Sequence, residues 1–139
     1  VVGQTVPEWK MKDIQGNAIS LRDLKGKRVV LDFWATWCPP CKEEMPHLIK
    51  LRKEIGKDKL VIIGISDEPA ELLRDFAKEH DVNFPLVSHP EKFPPPFDKV
   101  TGLPTAVFIN EKGVIDNFTV GYYPYETLRA AAMGQKVQR

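Results

Sequence analysis

The chain is poor in the residues that hold metal ions or brace small folds. Among its 139 residues there are only two cysteines and three histidines. Two cysteines cannot form a disulfide framework. A structural zinc site needs four ligands, usually two cysteine pairs or one pair with histidines close by. Here the histidines are scattered over different parts of the chain, at His47, His80 and His89. We therefore predict no metal site.

Charge of one sign is also missing. The chain has 20 Lys and Arg against 19 Asp and Glu, which gives a net charge of +1. No basic block stands out beyond the short tail after Met133, so nucleic-acid binding is not indicated. The longest apolar run near the start is too short to span a bilayer. The chain begins at Val1 without an initiator methionine, which is compatible with a removed signal peptide or membrane anchor and equally with a shortened sequence.

Length and composition are those of one globular domain. A chain of 139 residues can bury a core without staples. Hydrophobic residues make up 42% and charged residues 28%, which is ordinary for a globular protein. We predict a single domain over residues 1–139, in which residues 1–27 form an N-terminal hairpin extension and residues 134–139 form a tail.

The first half of the chain predicts a hairpin followed by a strand, a helix and a second strand. Gly16 and Asn17 lie between two short stretches, a pattern typical of a hairpin turn. The run KGKRVVLDFWA is β-branched and aromatic and indicates a buried strand. From Pro39 to about Ile55 the apolar residues recur at helical spacing, and Gly56 follows as a stop signal. The apolar run KLVIIGISD predicts the next strand.

The second half predicts a helix, a hairpin and a final helix. Asp67 and Pro69 are start signals for a helix that ends near His80. Two strands are predicted around a turn at 110–113, followed by an amphipathic helix over about 124–133. The order is hairpin, then β-α-β-α, then β-β-α. This order predicts an α/β fold with a mixed sheet covered by helices on both faces.

The two cysteines, Cys38 and Cys41, are separated only by Pro39 and Pro40. A disulfide across so short a loop constrains the unfolded chain very little, which argues against a bracing role. Covalent haem attachment needs histidine directly after the second cysteine, and Lys42 stands there. Thiol-disulfide exchange fits better, because Cys38 lies where a predicted strand meets a predicted helix. Free N–H groups and the helix dipole stabilise a thiolate at such a position.

The two prolines limit how far that thiolate is stabilised. The first helical turn tolerates proline because its N–H groups are free. A side chain at the N-cap, however, usually accepts its hydrogen bonds from the second and third helical positions. With proline at 39 and 40, the N–H of Cys41 is the main remaining donor. We therefore predict a moderately lowered pKa for Cys38, which favours a reductant, since a strong oxidant needs an unusually stabilised thiolate.

Two motifs together resemble one protein family. The segment VVLDFWATWCPPCKEEMP, followed far downstream by GLPTAVFIN, resembles the thioredoxin superfamily and, within it, the extracytoplasmic TlpA/ResA-like thiol-disulfide oxidoreductases. The similarity covers nearly the whole chain. It implies a thioredoxin fold, in which a central mixed sheet of four or five strands is flanked by helices and preceded by an added N-terminal β-hairpin. It implies no cofactor beyond the redox-active disulfide of the cysteine pair.

The resemblance implies roles for the residues around the cysteines. Cys38 corresponds to the family's nucleophile and Cys41 to its resolving, more buried thiol. Trp37 corresponds to the aromatic residue beside the exposed sulfur. For Trp9 and Trp34, ordinary core packing is the expected role.

The resemblance also implies a client-binding surface. Pro104 corresponds to the family's cis-proline, whose turn faces the cysteine pair. Leu103, the residue before it, corresponds to the position that pairs its backbone with a bound substrate peptide. Together with Trp37, Pro39 and Pro40, these two residues form the predicted substrate-binding surface.

Two acidic residues are predicted to act on the cysteines. Asp32 lies inside an apolar strand, where a carboxylate is costly to bury without a partner. It corresponds to the buried acid that helps to deprotonate the resolving cysteine in thioredoxins; the alternative is an Asp paired with lysine near a sheet edge. Glu44 lies one helical turn after Cys41 and corresponds to a functional Glu of ResA-like proteins; the alternative is a solvated charge, as expected for Glu43.

The stretch SHPEKFPPPF, residues 88–97, departs from the family, in which a short helix is usual here. Its three consecutive prolines predict an extended polyproline II segment. Two interpretations are open. The favoured one is a stiff connector, and the other is a partner-docking rim with Phe93 and Phe97 exposed.

We therefore predict a thiol-disulfide oxidoreductase that works as a reductase of protein disulfides outside the cytoplasm, either in the periplasm or anchored to a membrane. The implied partners of this monomer are a disulfide-containing client, such as apocytochrome c in the family, and an upstream dithiol donor that can be membrane-bound. One alternative is a peroxiredoxin-type peroxidase, disfavoured because Leu31 and Ala35 replace the Pro and Thr of that pattern. Another is a redox-inactive binding module, disfavoured because both cysteines are retained.

Overall fold

A computed structural model describes residues 1–137, so the last two residues of the tail predicted over 134–139 lie outside the described residues. Within the described chain, an N-terminal hairpin precedes a larger sheet that alternates at first with helices. The strands are β1 (Lys10–Lys12), β2 (Ala18–Ser20), β3 (Arg28–Phe33), β4 (Leu60–Ser66), β5 (Leu86–Ser88), β6 (Thr105–Ile109) and β7 (Ile115–Val120). The α-helices are α1 (Pro39–Ile55), α2 (Ala70–His80) and α3 (Tyr125–Ala132), with short 3-10 helices at Leu21–Leu24 and Phe97–Lys99.

The larger sheet has five strands in the order β5-β4-β3-β6-β7. Strand β3 pairs parallel with β4 and antiparallel with β6, so it lies at the centre of the sheet. The parallel connections run through α1 and α2, as parallel neighbours require, while β6 and β7 are joined by a tight turn. This mixed sheet, and the separate β1–β2 hairpin with Met11 opposite Ile19, confirm the predicted fold class.

Strand β5 is an element that the periodicity did not predict. It has only three residues and lies between Pro85 and Pro90, where strand signals are weak. It pairs parallel with β4, with Leu86 opposite Gly64. A Cβ atom at Gly64 would lie only 2.7 Å from Leu86 Cδ2 and 3.0 Å from Trp34 Nε1. The glycine therefore allows the edge strand and the buried indole to pack closely against the sheet.

All three α-helices lie on one face of the sheet, so the expectation of α-helices on both faces is wrong. The buried residues of the three helices share one apolar cluster with Val30 and Trp34 of the β3 region. The reason is topological. The β3-α1-β4 and β4-α2-β5 crossovers step in the same direction along the sheet, and right-handed crossovers of the same direction place their helices on the same face. The opposite face is covered by the N-terminal segment and the loop that ends at Phe97.

The proline-rich segment forms a turn, and the prediction of an extended polyproline II segment is wrong. The N–H of Phe97 donates to the carbonyl of Pro94 at 2.8 Å. The Pro95–Pro96 peptide bond is cis, and the 3-10 helix Phe97–Lys99 follows directly. The chain therefore folds back onto the sheet at the point where an extended connector was expected.

That turn brings Phe93 and Phe97 into an aromatic cluster with Trp9 and Phe33. Phe97 is only 2% exposed, and its ring stacks on Trp9 with centroids 5.4 Å apart. Phe93 is half-buried, with its ring centroid 5.1 Å from that of Phe33. The docking rim with both phenylalanines exposed is therefore wrong. These rings cover the sheet face that no α-helix covers.

We predict that Phe97→Ala lowers the free energy of unfolding by about 3–5 kcal/mol, because it removes a large buried ring and leaves a cavity. Urea unfolding of the oxidised protein measures the loss. Met133→Ala is the matched control, because the Met133 side chain is 50% exposed and its truncation leaves the unfolding midpoint close to that of the unaltered protein. Equal midpoints for both variants would contradict the assignment of Phe97 to the core.

Candidate active site

The cysteine pair lies at the start of α1. Cys38 is the N-cap residue, with extended backbone dihedrals (φ −94°, ψ 108°), and Pro39 and Pro40 are the first two helical residues. Cys38 and Cys41 form a disulfide, with their Cα atoms 5.2 Å apart. The sulfur of Cys38 accepts a hydrogen bond from the N–H of Cys41 at 3.3 Å. This confirms the prediction that the Cys41 N–H is the donor left to that sulfur.

The two cysteines are almost equally buried, which corrects one expectation. Cys38 is 3% exposed and Cys41 is 2% exposed. An exposed Cys38 beside a more buried Cys41 is therefore not seen in this oxidised form, because each sulfur of the disulfide covers the other. The exposed group at this end of the molecule is the indole of Trp37, at 68%. Trp9 and Trp34 lie in the core at 6% and 1% exposure, as predicted.

The loop before β6 lies at the same end of the sheet as the cysteine pair. Phe33, the last residue of β3, is paired with Thr105, the first residue of β6. The chain that leaves β3 toward Cys38 therefore starts beside the chain that enters β6 from Pro104. The Leu103–Pro104 peptide bond is cis. The buried Pro104 accepts a hydrogen bond at its carbonyl from the N–H of Gly121, 2.8 Å away.

A cavity of about 220 Å³ lies between these two segments. Its lining is mostly apolar and includes Trp37 from the cysteine side, Leu103 from the proline side, and Phe93 and Val100. Leu103 also packs against the apolar cluster that contains both cysteines. The sequence-predicted residues Trp37 and Leu103 are thus brought together on one concave surface. Pro39 and Pro40 lie at the helix start, exposed and half-buried respectively.

Asp32 is buried at the centre of the sheet. It is 2% exposed and is flanked by Gly64 on β4 and Ala106 on β6. Its Oδ1 atom has no hydrogen-bond partner among residues 1–137. Burial, with a smaller contribution from the negative charge of Glu44, raises the pKa of Asp32 well above its ordinary value. The alternative of an Asp paired with lysine near the sheet edge is wrong, because β3 is the central strand and no ion pair to Asp32 is present in the described part of the chain.

Glu44 is the second buried acid, and its alternative role as a solvated helix charge is wrong. Glu44 is 1% exposed, whereas Glu43 beside it is exposed, as expected. Glu44 Oε2 accepts a hydrogen bond from the N–H of Tyr123 at 3.0 Å. Burial raises the pKa of Glu44 to about 7, although the Tyr123 hydrogen bond opposes the shift. Asp32 and Glu44 are close enough for their charges to interact.

A third buried acid near the cysteines was not singled out in the sequence. Glu68 is 8% exposed and is hydrogen bonded to Thr36, two residues before Cys38. In the sequence it follows Asp67 just before a predicted helix, where an exposed acid is ordinary. The two residues that it joins are 32 positions apart, and no periodic pattern connects them. Only the register of β3 with β4 brings them together.

Two structural searches were negative within residues 1–137. No group of three or more His, Cys, Asp and Glu side chains is arranged there to hold a metal ion. In the same range, none of the helices combines the length and the apolar character needed to cross a membrane.

We predict that the oxidised protein becomes less stable as the pH rises from about 4.5 to about 7. Burial raises the pKa of Glu44 from 4.5 to about 7, so the folded protein binds this proton more tightly than the unfolded chain does. Deprotonation therefore costs stability, by about 3 kcal/mol for Glu44 over this range. Urea midpoints at a series of pH values measure the loss, and Glu44→Gln should flatten the curve. Glu43→Gln is the exposed control, and an unchanged slope in Glu44→Gln would contradict the assignment.

Comparison with known proteins agrees with this geometry. The model of the AhpC/TSA family matches residues 2–118. The thioredoxin-like protein YneN of Bacillus subtilis is 38% identical over 97% of this chain and 78% of its own length. The thiol-disulfide oxidoreductase ResA of Oceanobacillus iheyensis is 34% identical over 86% of this chain and 65% of its own length.

Solved structures confirm the fold. A thiol:disulfide interchange protein of the thioredoxin family from Chlorobium tepidum superimposes with a TM-score of 0.82, covering 96% of this chain and 97% of that chain at 23% identity. The cysteine pair at the start of α1 and the match to named relatives agree on one assignment. The chain therefore belongs to the AhpC/TSA family and is a thioredoxin-fold thiol-disulfide oxidoreductase of the ResA type.

Proposed function

We propose that this oxidoreductase is a reductase of protein disulfides that acts outside the cytoplasm. The observation that carries the direction is the N-terminus of α1, where the Cys38 sulfur accepts one hydrogen bond, from Cys41, because Pro39 and Pro40 have no N–H to give. A thiolate with few donors is only moderately stabilised. The reduced form of the pair is then a ready donor of electrons, since strong oxidants depend on an unusually stable thiolate.

In the proposed reaction, the Cys38 thiolate attacks one sulfur of a client disulfide. A bond forms between Cys38 Sγ and that sulfur, the client S–S bond breaks, and the other client sulfur leaves as a thiolate that is protonated by solvent. Cys41 then attacks Cys38 Sγ as a thiolate. The mixed disulfide breaks, the second client thiolate leaves, and the Cys38–Cys41 disulfide forms. Two electrons have then passed from the cysteine pair to the client.

Cys41 must lose a proton before it attacks, and we assign this step to Glu44 and Asp32. A carboxyl group with a pKa near 7 exists in both protonation states at neutral pH and can take a proton from a thiol. Glu44 lies three residues after Cys41 on the same helix, and its pKa is about 7. The buried Asp32, whose charge interacts with that of Glu44, acts with it as one coupled pair.

The client is proposed to bind across the cavity between the two segments. Trp37 is exposed and Leu103 faces it across an apolar lining, so together they suit an extended, partly apolar segment around a client cysteine. Pro104 holds the loop that carries Leu103, and Pro39 and Pro40 form the neighbouring surface at the helix start. The half-buried Leu103 is the position proposed to pair its backbone with the client.

The proposal includes the wider setting of the reaction. Each turnover leaves the cysteine pair oxidised, so an upstream dithiol donor, membrane-bound in the simplest arrangement, must return two electrons. We propose that the protein works as a monomer in an extracytoplasmic compartment, where client disulfides persist, free or held at a membrane by a preceding segment. Apocytochrome c is one candidate client. The redox-active disulfide is the only cofactor that the proposed reaction uses.

The peroxidase alternative has little support from the site. Thr36 falls one residue later than the threonine of the peroxidase pattern, and its hydroxyl donates a hydrogen bond to Glu68 at 2.6 Å. The hydroxyl is therefore already engaged away from a peroxide at Cys38. A redox-inactive binding module would give no turnover of insulin disulfides, which separates that alternative from the proposed reductase.

We predict a reduction potential near or below about −250 mV for the Cys38–Cys41 pair, as for thioredoxin. Equilibration against defined dithiol buffers measures it. A potential between about −120 and −180 mV would indicate an oxidant or isomerase instead.

Pro40→Ala tests the cause of the low potential. The substitution restores an N–H at the second helical position, which stabilises the Cys38 thiolate and the reduced form. We expect the potential to rise by about 30 mV, equivalent to about 1.4 kcal/mol, which is the low end for a hydrogen bond to a charged group. Pro39→Ala is the matched control, because the first helical N–H does not usually reach the cap side chain.

We also predict that Cys41→Ser accumulates a mixed disulfide with insulin, because the first attack proceeds and no resolving thiolate follows. Cys38→Ser should form none. Non-reducing electrophoresis and mass spectrometry identify the adduct and its cysteine. Equal trapping by both variants would contradict the assignment of Cys38 as the nucleophile.

A further inference from the structure

Glu68 is a buried acid that the proposed reaction does not use. It is 8% exposed and follows directly after β4, two residues beyond Ser66. Its carboxylate accepts three hydrogen bonds: Oε1 accepts from the N–H of Thr36 at 2.7 Å and from the hydroxyl of Ser66 at 2.9 Å, and Oε2 accepts from the hydroxyl of Thr36 at 2.6 Å. A buried carboxylate is tolerated when hydrogen bonds replace its water, and here every donor is a neutral group.

Glu68 is itself held firmly by the sheet. Its N–H donates to the hydroxyl of Ser66 at 3.1 Å. Its carbonyl accepts a hydrogen bond from the hydroxyl of Ser88, on the edge strand β5, at 2.6 Å. The backbone and the carboxylate of Glu68 are thus both tied to strand residues. A side chain anchored in this way can hold another segment in place.

The segment that Glu68 holds leads into the nucleophile. Residues 34–38 connect β3 to α1 without regular secondary structure. Both hydrogen-bond donors of Thr36, its N–H and its hydroxyl, go to the Glu68 carboxylate. The next residue is the exposed Trp37, and the one after it is Cys38. The position of both therefore depends on where Thr36 is fixed.

We propose that Glu68 is a positioning residue for disulfide exchange, whose carboxylate fixes Thr36 and thereby holds Trp37 at the rim of the client cavity and Cys38 at the start of α1. This inference builds on the proposed function, since it concerns the same cysteine pair. When the disulfide opens, the covalent link between Cys38 and Cys41 is lost. The Glu68–Thr36 hydrogen bonds remain and keep the attacking sulfur in register with the client.

Glu68→Ala and Glu68→Gln separate position from charge. Alanine removes all three hydrogen bonds, and we expect kcat/KM for insulin reduction to fall about ten- to hundred-fold, as for a reacting group displaced by about 1 Å. Glutamine can accept from the Thr36 N–H with its carbonyl oxygen and donate to the Thr36 hydroxyl with its amide, so we expect kcat/KM within about threefold of the unaltered protein. Glu79→Gln, with a side chain 77% exposed, is the matched control and should leave the rate unchanged.

The pH profile of Cys38 alkylation in the reduced protein gives an independent readout. If Glu68 acts by position, Glu68→Gln leaves the profile where it is. A profile that moves to lower pH in Glu68→Gln would show that the negative charge acts on the thiol directly and would overturn the positioning role. Equal kcat/KM losses in Glu68→Gln and Glu68→Ala, or no loss in Glu68→Ala, would overturn it as well.

Thr36→Val keeps the test decisive if Glu68→Ala does not fold. The substitution preserves the side-chain shape and the backbone hydrogen bond but removes the hydroxyl donor, so we expect a smaller loss of kcat/KM, about threefold to tenfold, with unchanged cooperativity of urea unfolding. No loss in Thr36→Val would count against the clamp. If the unaltered protein fails to reduce insulin, the reductase proposal fails, and the rate at which dithiothreitol reduces the Cys38–Cys41 disulfide in the same variants still tests Glu68.

Discussion

The active site depends on the pairing of β3 with a strand on each side. On one side β4 runs parallel and brings Glu68 beside the segment that follows β3. On the other side β6 runs antiparallel, with Thr105 opposite Phe33, and brings the Leu103–Pro104 loop to the same end. The cysteine pair follows β3 directly. A shift of one residue in either register would exchange the faces of the side chains and separate the three segments that form the site.

The sequence predicted the elements with strong local signals and failed where tertiary packing decides. The bounds of α1 follow from the prolines at its start and Gly56 at its end, and both were predicted. Strand β5 is too short to show a period, and its pairing with β4 is a long-range event. The turn at Pro94–Pro96 was misread as extended, because a composition rule cannot see that Phe97 is needed to cover a bare sheet face.

The same division applies to the site. Cys38, Cys41, Pro39 and Pro40 act through helix-end geometry, which is local, so even the single N–H donor at the sulfur could be deduced beforehand. The burial of Asp32 could be suspected from its apolar strand. Whether it had a lysine partner could not be decided, because that depends on whether β3 is central or at an edge. Glu68 could not be found at all, since its partner Thr36 is distant in sequence and both residue types are common near helix starts.

The three buried acids near the disulfide differ chiefly in how many hydrogen bonds they accept, and this difference suits them to different work. Asp32 Oδ1 accepts none from residues 1–137, and Glu44 accepts one, from Tyr123, with Oε1 left unpaired. Burial then favours the protonated form of each and raises its pKa, as proton transfer to and from a thiol near neutral pH requires. Glu68 accepts three hydrogen bonds from Thr36 and Ser66. Those bonds would have to break for the carboxylate to move, so a group held in this way is suited to fixing a segment of chain and poorly suited to relaying a proton.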